Sequence, residues 1–358
     1  MTVIFLASLF VSCANAIAFT QPDPLALTSN ATREDIESRK KIEQKRSMQF
    51  SDPELLFPSQ KIASIPVLSK FFFDQNRIIG SNSELNKIVV SSEAQGLRFI
   101  SPGTVEIEDF TYRNGLFYLL TNKDREAEIL VLDMEGKVVS RFPLVQTPPT
   151  MTSIAVDSRG YIYHNNPSDP DGIITAYNIR GNVKRVFGLH LPERYFASMK
   201  LLNRVVMAVD SGNNLIVAFR FEPIVRKYNS NGDLIFEKEI SCKEIIMRIE
   251  EEKKRYPERF SLTANNRVKI SAFTYFTSVT TDEKNNIYVK LGADSLIFKL
   301  NEEGELEKKY FLIMENGSIE DFDFWESSMV ISGGTLYYPM AVQGSESFGY
   351  ILKYKLHE

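Results

Sequence analysis

Apolar and polar residues alternate along most of this chain in short runs, four to seven residues long, separated by polar turns that close on Gly. One such pattern ends at Gly96 (IVVSSEAQG), Gly136 (ILVLDMEG), Gly181 (ITAYNIRG), Gly232 (IVRKYNSNG) and Gly304 (LIFKLNEEG), at spacings of 40, 45, 51 and 72 residues. A second pattern is a polar turn followed by a tight strand. It recurs as DQNRIIG (74–80), YRNGLFYLL (112–120), DSRGYIYHN (157–165), DSGNNLIVAF (210–219), DEKNNIYVKL (282–291) and SGGTLYYPM (332–340). The runs are rich in Val, Ile, Tyr and Phe, which suit a pleated and half-buried surface. Gly at the last turn position accepts positive φ and lets a hairpin close without strain.

Each unit therefore holds four short strands in about 45 residues. Unit three shows them in order as TSIAVD, GYIYHN, GIITAYN and VKRVFGL. Regular short strands without βαβ alternation or a Gly-rich phosphate loop exclude an α/β fold. Six four-stranded units predict an all-β, six-bladed β-propeller. The segments D-S-R-G-Y-I-Y, D-S-G-N-N-L-I-V and D-E-K-N-N-I-Y-V, each followed by an apolar strand and a turn closing on Gly, resemble NHL-type repeats of six-bladed propellers over roughly residues 60–358. Such propellers include binding modules and enzymes alike, so the resemblance implies architecture more than activity.

The last unit lacks its outer strand, because the sequence given ends soon after GYILKYKL (349–356). An unfilled edge would leave the ring open. Residues 60–69 (QKIASIPVLS) are expected to supply the strand, with Pro66 tolerated near its end. The domain reading is then an export signal over 1–16, a tether with a possible short helix over 17–57, and a propeller over 58–358.

One insertion breaks the repeat. Residues 242–270 carry Cys242, Ile245, Ile246 and Ile249 at i, i+3, i+4, i+7, which predicts one apolar helix face ending before Pro257. Its eight basic and five acidic residues give +3 on a chain whose net charge is −4. Long irregular insertions in compact domains are often functional. Lys253, Lys254 and Arg255 are therefore the partner-binding candidates. A decorative helix packed on a blade side is the plainer alternative.

The N-terminus reads as an export signal. Val3 to Val11 is a nine-residue apolar run, too short to span a bilayer and suited to a signal h-region. Ala14-Asn15-Ala16 fits cleavage after Ala16, which would release a soluble periplasmic or secreted protein. Phe10-Val11-Ser12-Cys13 resembles a bacterial lipobox of the relaxed kind in spirochaete lipoproteins, which implies lipid on Cys13 and a membrane anchor. Leu9 stands four residues before the Cys rather than three. The favoured address is the cell envelope through that anchor. Arg33 to Arg46, six positive and four negative residues, reads as a solvated spacer with Thr32 as N-cap.

Candidate chemistry is sparse. The acidic balance argues against nucleic acid as a partner. Two cysteines exclude a disulfide scaffold, and three scattered histidines exclude a His-rich metal site. Asn165, Asp169 and Asp171 could offer oxygens to Ca²⁺, but the Pro and Gly around them make a turn the simpler reading. G-x-S-x-G is absent. Lactonases of the gluconolactonase type are six-bladed propellers with a central metal, yet Val105-Glu106-Ile107-Glu108 does not match their early E-G-P segment. The expectation is a monomeric, non-enzymatic envelope binding or scaffold protein without cofactor, which holds an envelope protein or polymer on the irregular face, that of the second-to-third loops and blade-to-blade connections. The alternative is a Ca²⁺-dependent lactonase-like hydrolase acting in the central channel.

The signal reading makes a first prediction. Native protein should start at Cys13 with a diacylglyceryl mass increment and partition into detergent, and Cys13→Ala should abolish the partitioning. An unlipidated N-terminus at Ile17, read by intact mass, would establish the soluble alternative.

Overall fold

Period-2 patterning becomes strand where the turns permit it. The computed structural model describes residues 48, 51–66, 68–74, 77–82, 85–92, 96–123, 126–144, 152–191, 202–255, 274–292, 295–313, 328–342 and 345–356. Two strands, β1 (Glu54–Leu56) and β2 (Pro58–Pro66), precede the repeat. Blade 1 is β3 (Lys70–Asp74), β4 (Arg77–Asn82), β5 (Lys87–Ser92) and β6 (Gly96–Ile100). Blade 2 is β7 (Glu106–Arg113), β8 (Leu116–Lys123), β9 (Glu126–Leu132) and β10 (Val138–Pro143). Blade 3 is β11 (Ile154–Val156), β12 (Ile162–Asn165), β13 (Ile174–Tyr177) and β14 (Val183–Phe187). Blade 4 is β15 (Val205–Val209), β16 (Leu215–Phe219), β17 (Ile224–Tyr228) and β18 (Leu234–Glu239), followed by helix α1 (Lys243–Arg255). Blade 5 is β19 (Phe276–Thr281), β20 (Ile287–Leu291), β21 (Leu296–Leu300) and β22 (Leu306–Leu312). Blade 6 has β23 (Val330–Ser332), β24 (Thr335–Val342) and β25 (Ser345–Lys355).

Within each blade the strands pair antiparallel in chain order. The fold is thus the six-bladed, all-β propeller that the repeat spacing predicts. Blade 6 takes its fourth strand from β2, with Pro58 opposite Tyr354 and Pro66 opposite Phe348. The closing strand starts two residues earlier and ends three residues earlier than the 60–69 the pattern predicts, and it ends on Pro66, which lacks an N–H to extend the ladder.

A blade is buried from its middle outward. The second and third strands of blades 3 and 4 are buried at every position. The outer strands β6, β10, β14 and β18 are largely exposed. Both faces of the middle strands pack on neighbouring blades, which is why their sequences read as continuous apolar runs. The six apolar clusters correspond to the six seams between blades.

A repeated contact sets the outer spacing. Gly181 and Gly232, at φ 81° and 87°, close their hairpins beneath an aromatic ring of the preceding blade. A Cβ would stand 2.5 Å from Phe142 at Gly181 and 2.9 Å from Phe187 at Gly232, so the ring occupies the space that Gly leaves. Ile100 meets Gly136 and Phe236 meets Gly304 in the same way.

The stretch read as tether ends inside the fold. Glu54–Leu56 pairs parallel to β22 and adds a fifth strand to blade 5, with Leu56 buried in the seam between blades 5 and 6. A three-residue strand at the end of a polar segment gives no period for a sequence pattern to detect.

Graded truncation tests the closure. Removal of residues 1–47 should leave the melting temperature within a few degrees. Removal of 1–57 also takes β1 and Leu56, whose core position is worth about 2–5 kcal/mol. Removal of 1–66 strips β25 of its partner, with ladder bonds worth about 1 kcal/mol each. That variant should lose a cooperative thermal transition. Equal melting of the last two variants would refute the role of β2.

Candidate functional site

The inner strands of the six blades line a central cavity of about 330 Å³. The two faces of the ring differ because of strand order. The tight turns joining first to second and third to fourth strands share one face. The second-to-third loops and the blade-to-blade connections share the other.

The tight-turn face is built by its carboxylates and amides. Asp157 Oδ1 accepts the N–H groups of Arg159 and Tyr161 at 3.0 and 2.9 Å, and its Oδ2 receives Arg159 Nε at 2.9 Å. Asp210 and Asp282 hold the N–H groups of Asn214 and Asn286 at 2.8 and 2.9 Å. These Asx-type bonds fold the D-x-x-x turns. Asn213 and Asn285, both at φ 63°, then reach the neighbouring turn. Ser158 donates its N–H and hydroxyl to Asn213 Oδ1 at 2.9 and 2.8 Å, and Ser211 does the same to Asn285 Oδ1 at 3.1 and 2.7 Å. Asn114 donates to Ser158 O at 2.9 Å, and Gly333 N–H to Glu283 at 2.9 Å. The motif that carries the repeat resemblance is thus a clasp between turns.

Burial raises the Tyr163 phenol to about 12, assisted by the nearby Asp157 carboxylate. Tyr112 is raised to about 12 by burial and by its hydrogen bond to Asp74 at 2.7 Å. Both stay neutral donors across the usual pH range.

The cavity wall is stitched as well. Lys70 Nζ lies 3.0 Å from Asp109 Oδ1, and Asp109 Oδ2 accepts the Ile154 N–H at 2.8 Å, which ties blades 1, 2 and 3. Ser153 donates to Val205 O at 2.8 Å, and Phe71 N–H donates to Ser328 Oγ at 3.0 Å. Buried Lys227 sits 3.1 Å from Asp210 Oδ2. Asp210 and Asp282 both line the cavity but serve these internal bonds. Among the described residues no group of three or more His, Cys, Asp or Glu side chains is arranged to hold a metal ion.

The oxygen-rich loop is a joint. Asn165 is fully buried, donates Nδ2 to Ile173 O and Asn203 O at 3.0 and 3.1 Å, and accepts the Val205 N–H at 3.2 Å. It staples blade 3 to blade 4. Asp169 Oδ1 accepts the Asp171 N–H at 3.0 Å, as a turn requires. The structure does not bring the three residues to a common point through these bonds.

Helix α1 rests on the seam between blades 4 and 5. Cys242 and Ile245 are buried there, with Ile249 packed alongside. Burial pushes the Cys242 thiol up to about 12, so it is an inert core group. Ile246, expected on the same face, is instead 43% exposed. The helix docks along a narrow edge of its apolar stripe, and one turn's width excludes the i+4 neighbour. Lys253 and Lys254 are exposed, with Lys253 3.0 Å from Glu250. Arg255 closes the helix. Residues 256–270 of the insert and Cys13 lie outside the described residues.

Sequence reasoning missed what fixes the helix. Lys309 on β22 has a fully buried side chain, 2.9 and 3.0 Å from the two Glu244 oxygens, and it also donates to Ser51 O. Lys243 reaches Asp52 at 2.9 Å, and that bond holds the Asp52 carboxyl below its usual range. A lysine in E-K-K-Y reads as a surface residue, and nothing local signals Glu244 and Ser51 as partners.

No protein-family model matches the chain, and no curated protein matches it in sequence. Solved structures share its fold. Virginiamycin B lyase from Staphylococcus aureus is 11% identical, with 81% of this chain and 98% of that one covered at a TM-score of 0.51. A member of the DUF4221 family from Bacteroides vulgatus is also 11% identical, covering 84% and 97% at a TM-score of 0.53. Identities this low show the propeller fold alone.

The helix geometry separates two adjacent isoleucines. Ile245→Asp buries an unpaired charge and should cost about 3 kcal/mol or more. Ile246→Asp should shift stability by about 0.5 kcal/mol or less. Urea unfolding of both variants, followed by tryptophan fluorescence and circular dichroism, decides it.

Proposed function

We propose that this propeller is a non-enzymatic binding and scaffold protein of a cell envelope. It is held there by lipid on Cys13 and engages an envelope protein or polymer on its irregular face. One observation carries the reading. The Asp, Asn and Ser side chains that fold and clasp the tight turns, and Lys70, Asp109 and Asp210 in the cavity wall, bond within the chain, whereas α1 presents Lys253, Lys254 and Ile246 outward from a firmly docked helix. The basic insert on an acidic body favours an acidic partner. Propeller folds serve many activities, so the argument rests on this site and not on the fold.

In-cell cross-linking followed by mass spectrometry identifies the neighbour. Replacing Lys253, Lys254 and Arg255 together by Gln should weaken its capture several-fold and flatten the salt dependence, because exposed charges are screened. The melting temperature should barely move. Undiminished capture by that variant would overturn the role of α1, and Ca²⁺-dependent lactone hydrolysis by the purified protein would overturn the non-enzymatic reading.

A further inference from the structure

His164 occupies a position that the repeat elsewhere reserves for apolar side chains. Counting seven residues from the turn Asp places His164 in register with Val217 and Val289, and the matching count from Tyr112 in blade 2 gives Leu119. Those three are fully buried core residues, and so is His164. Strand alternation places it with Ile162, facing blade 2 across the seam that Tyr118, Leu120, Ile129 and Ile154 fill. Among the described residues neither imidazole nitrogen has a hydrogen-bond partner. Buried polar groups are rarely left so, because each costs its desolvation without a compensating bond. Asn122 Oδ1, on the strand facing this seam, is buried and without a partner too.

We propose that the seam between blades 2 and 3 is an acid-labile joint of the ring, opened by protonation of His164.

The groups around it offer no compensation for a charge. On its own blade the cross-strand neighbours are Ile154 and Thr175. The titratable groups on the same seam are Tyr118 and Tyr177, both raised by burial; Asp157, paired with Arg159, acts on Tyr118, and Asp169 acts on Tyr177, while neither carboxylate contributes to the shift of His164. Asp109 on β7 bonds Lys70 and the Ile154 N–H. Glu128 and Arg141 lie on the opposite face of blade 2 and pair with each other at 3.5 Å. Burial alone accordingly drives the imidazole down to about 3 from an ordinary 6.5. The unfolded or opened chain then binds the proton more tightly than the closed ring. The cost is absent above pH 6.5 and grows as pH falls towards 3.

The linkage predicts that His164 alone raises the opening constant about 30-fold between pH 8 and pH 5. Urea unfolding of wild type and His164→Leu across that range should show this difference in slope, and His164→Gln should lose it as well. Parallel pH dependences would overturn the proposal. Two measurements on the wild type need no variant. The imidazole C2–H resonance of His164 should show a neutral ring at pH 5, and titration near 6.5 in the folded protein would overturn the joint. Hydrogen exchange at pH 5 should rise in β8, β9, β12 and β13 before β16, β17, β20 and β21. A uniform rise across all blades would also refute it.

Discussion

Ring closure is the constraint on which the molecule depends. A single four-stranded blade cannot cover both faces of its middle strands, so each blade borrows its neighbours as solvent exclusion. Six such seams work only if the last blade meets the first. Here the meeting is made by a strand that comes from before blade 1 and pairs with β25, so the two ends of the propeller are joined by a ladder of backbone bonds. Tearing one seam exposes two apolar faces at once. That is why the contacts across seams are redundant: stitches near the axis, clasps between turns and an aromatic over Gly at the rim.

This redundancy also assigns the polar residues. Asp157, Asp210 and Asp282 look like candidate ligands in a list of carboxylates, but each folds a turn and so serves a seam. Asn165 does the same work with a side-chain amide, at a place where two backbone carbonyls and an N–H converge. Residues that hold the ring cannot readily change partners. The proposed binding role is therefore assigned to the face where connections vary, and α1 is the described element that departs furthest from the repeat.

The repeat was legible because its signals are local. A Gly at positive φ, an Asp or Asn folding its own turn and an apolar run of five residues all act within ten positions. The need for a closing strand was legible too, since a three-stranded last unit leaves an edge that geometry must fill. What stayed hidden depends on residues far apart in sequence. Asn165 bonds groups 8 to 40 residues away, and Lys309 bonds residues 65 and 258 away. The helix was read correctly from Cys242, Ile245 and Ile249, while Ile246 was misplaced because periodicity gives a stripe and not the width of the surface that receives it. His164 read as an ordinary strand end, since only alignment with Val217 and Val289 reveals the apolar position it holds.

Lys309 adds one last coupling. A buried ammonium is tolerable only while its partners remain, and they include Glu244 on the helix and the carbonyl of Ser51 on the N-terminal approach. Moving either one leaves the charge short of a ligand. The helix and the strand that follows Ser51 are thus set by a common cation, with Lys243 and Asp52 as a second, exposed tie. Leu56 anchors the same approach in the core. Whatever the N-terminal segment is attached to, its point of entry is fixed beside α1. Residues 51–56 are thereby held beside the proposed binding helix by one buried cation, one exposed ion pair and one core side chain, so the approach and the helix are fixed to the same edge of blade 5.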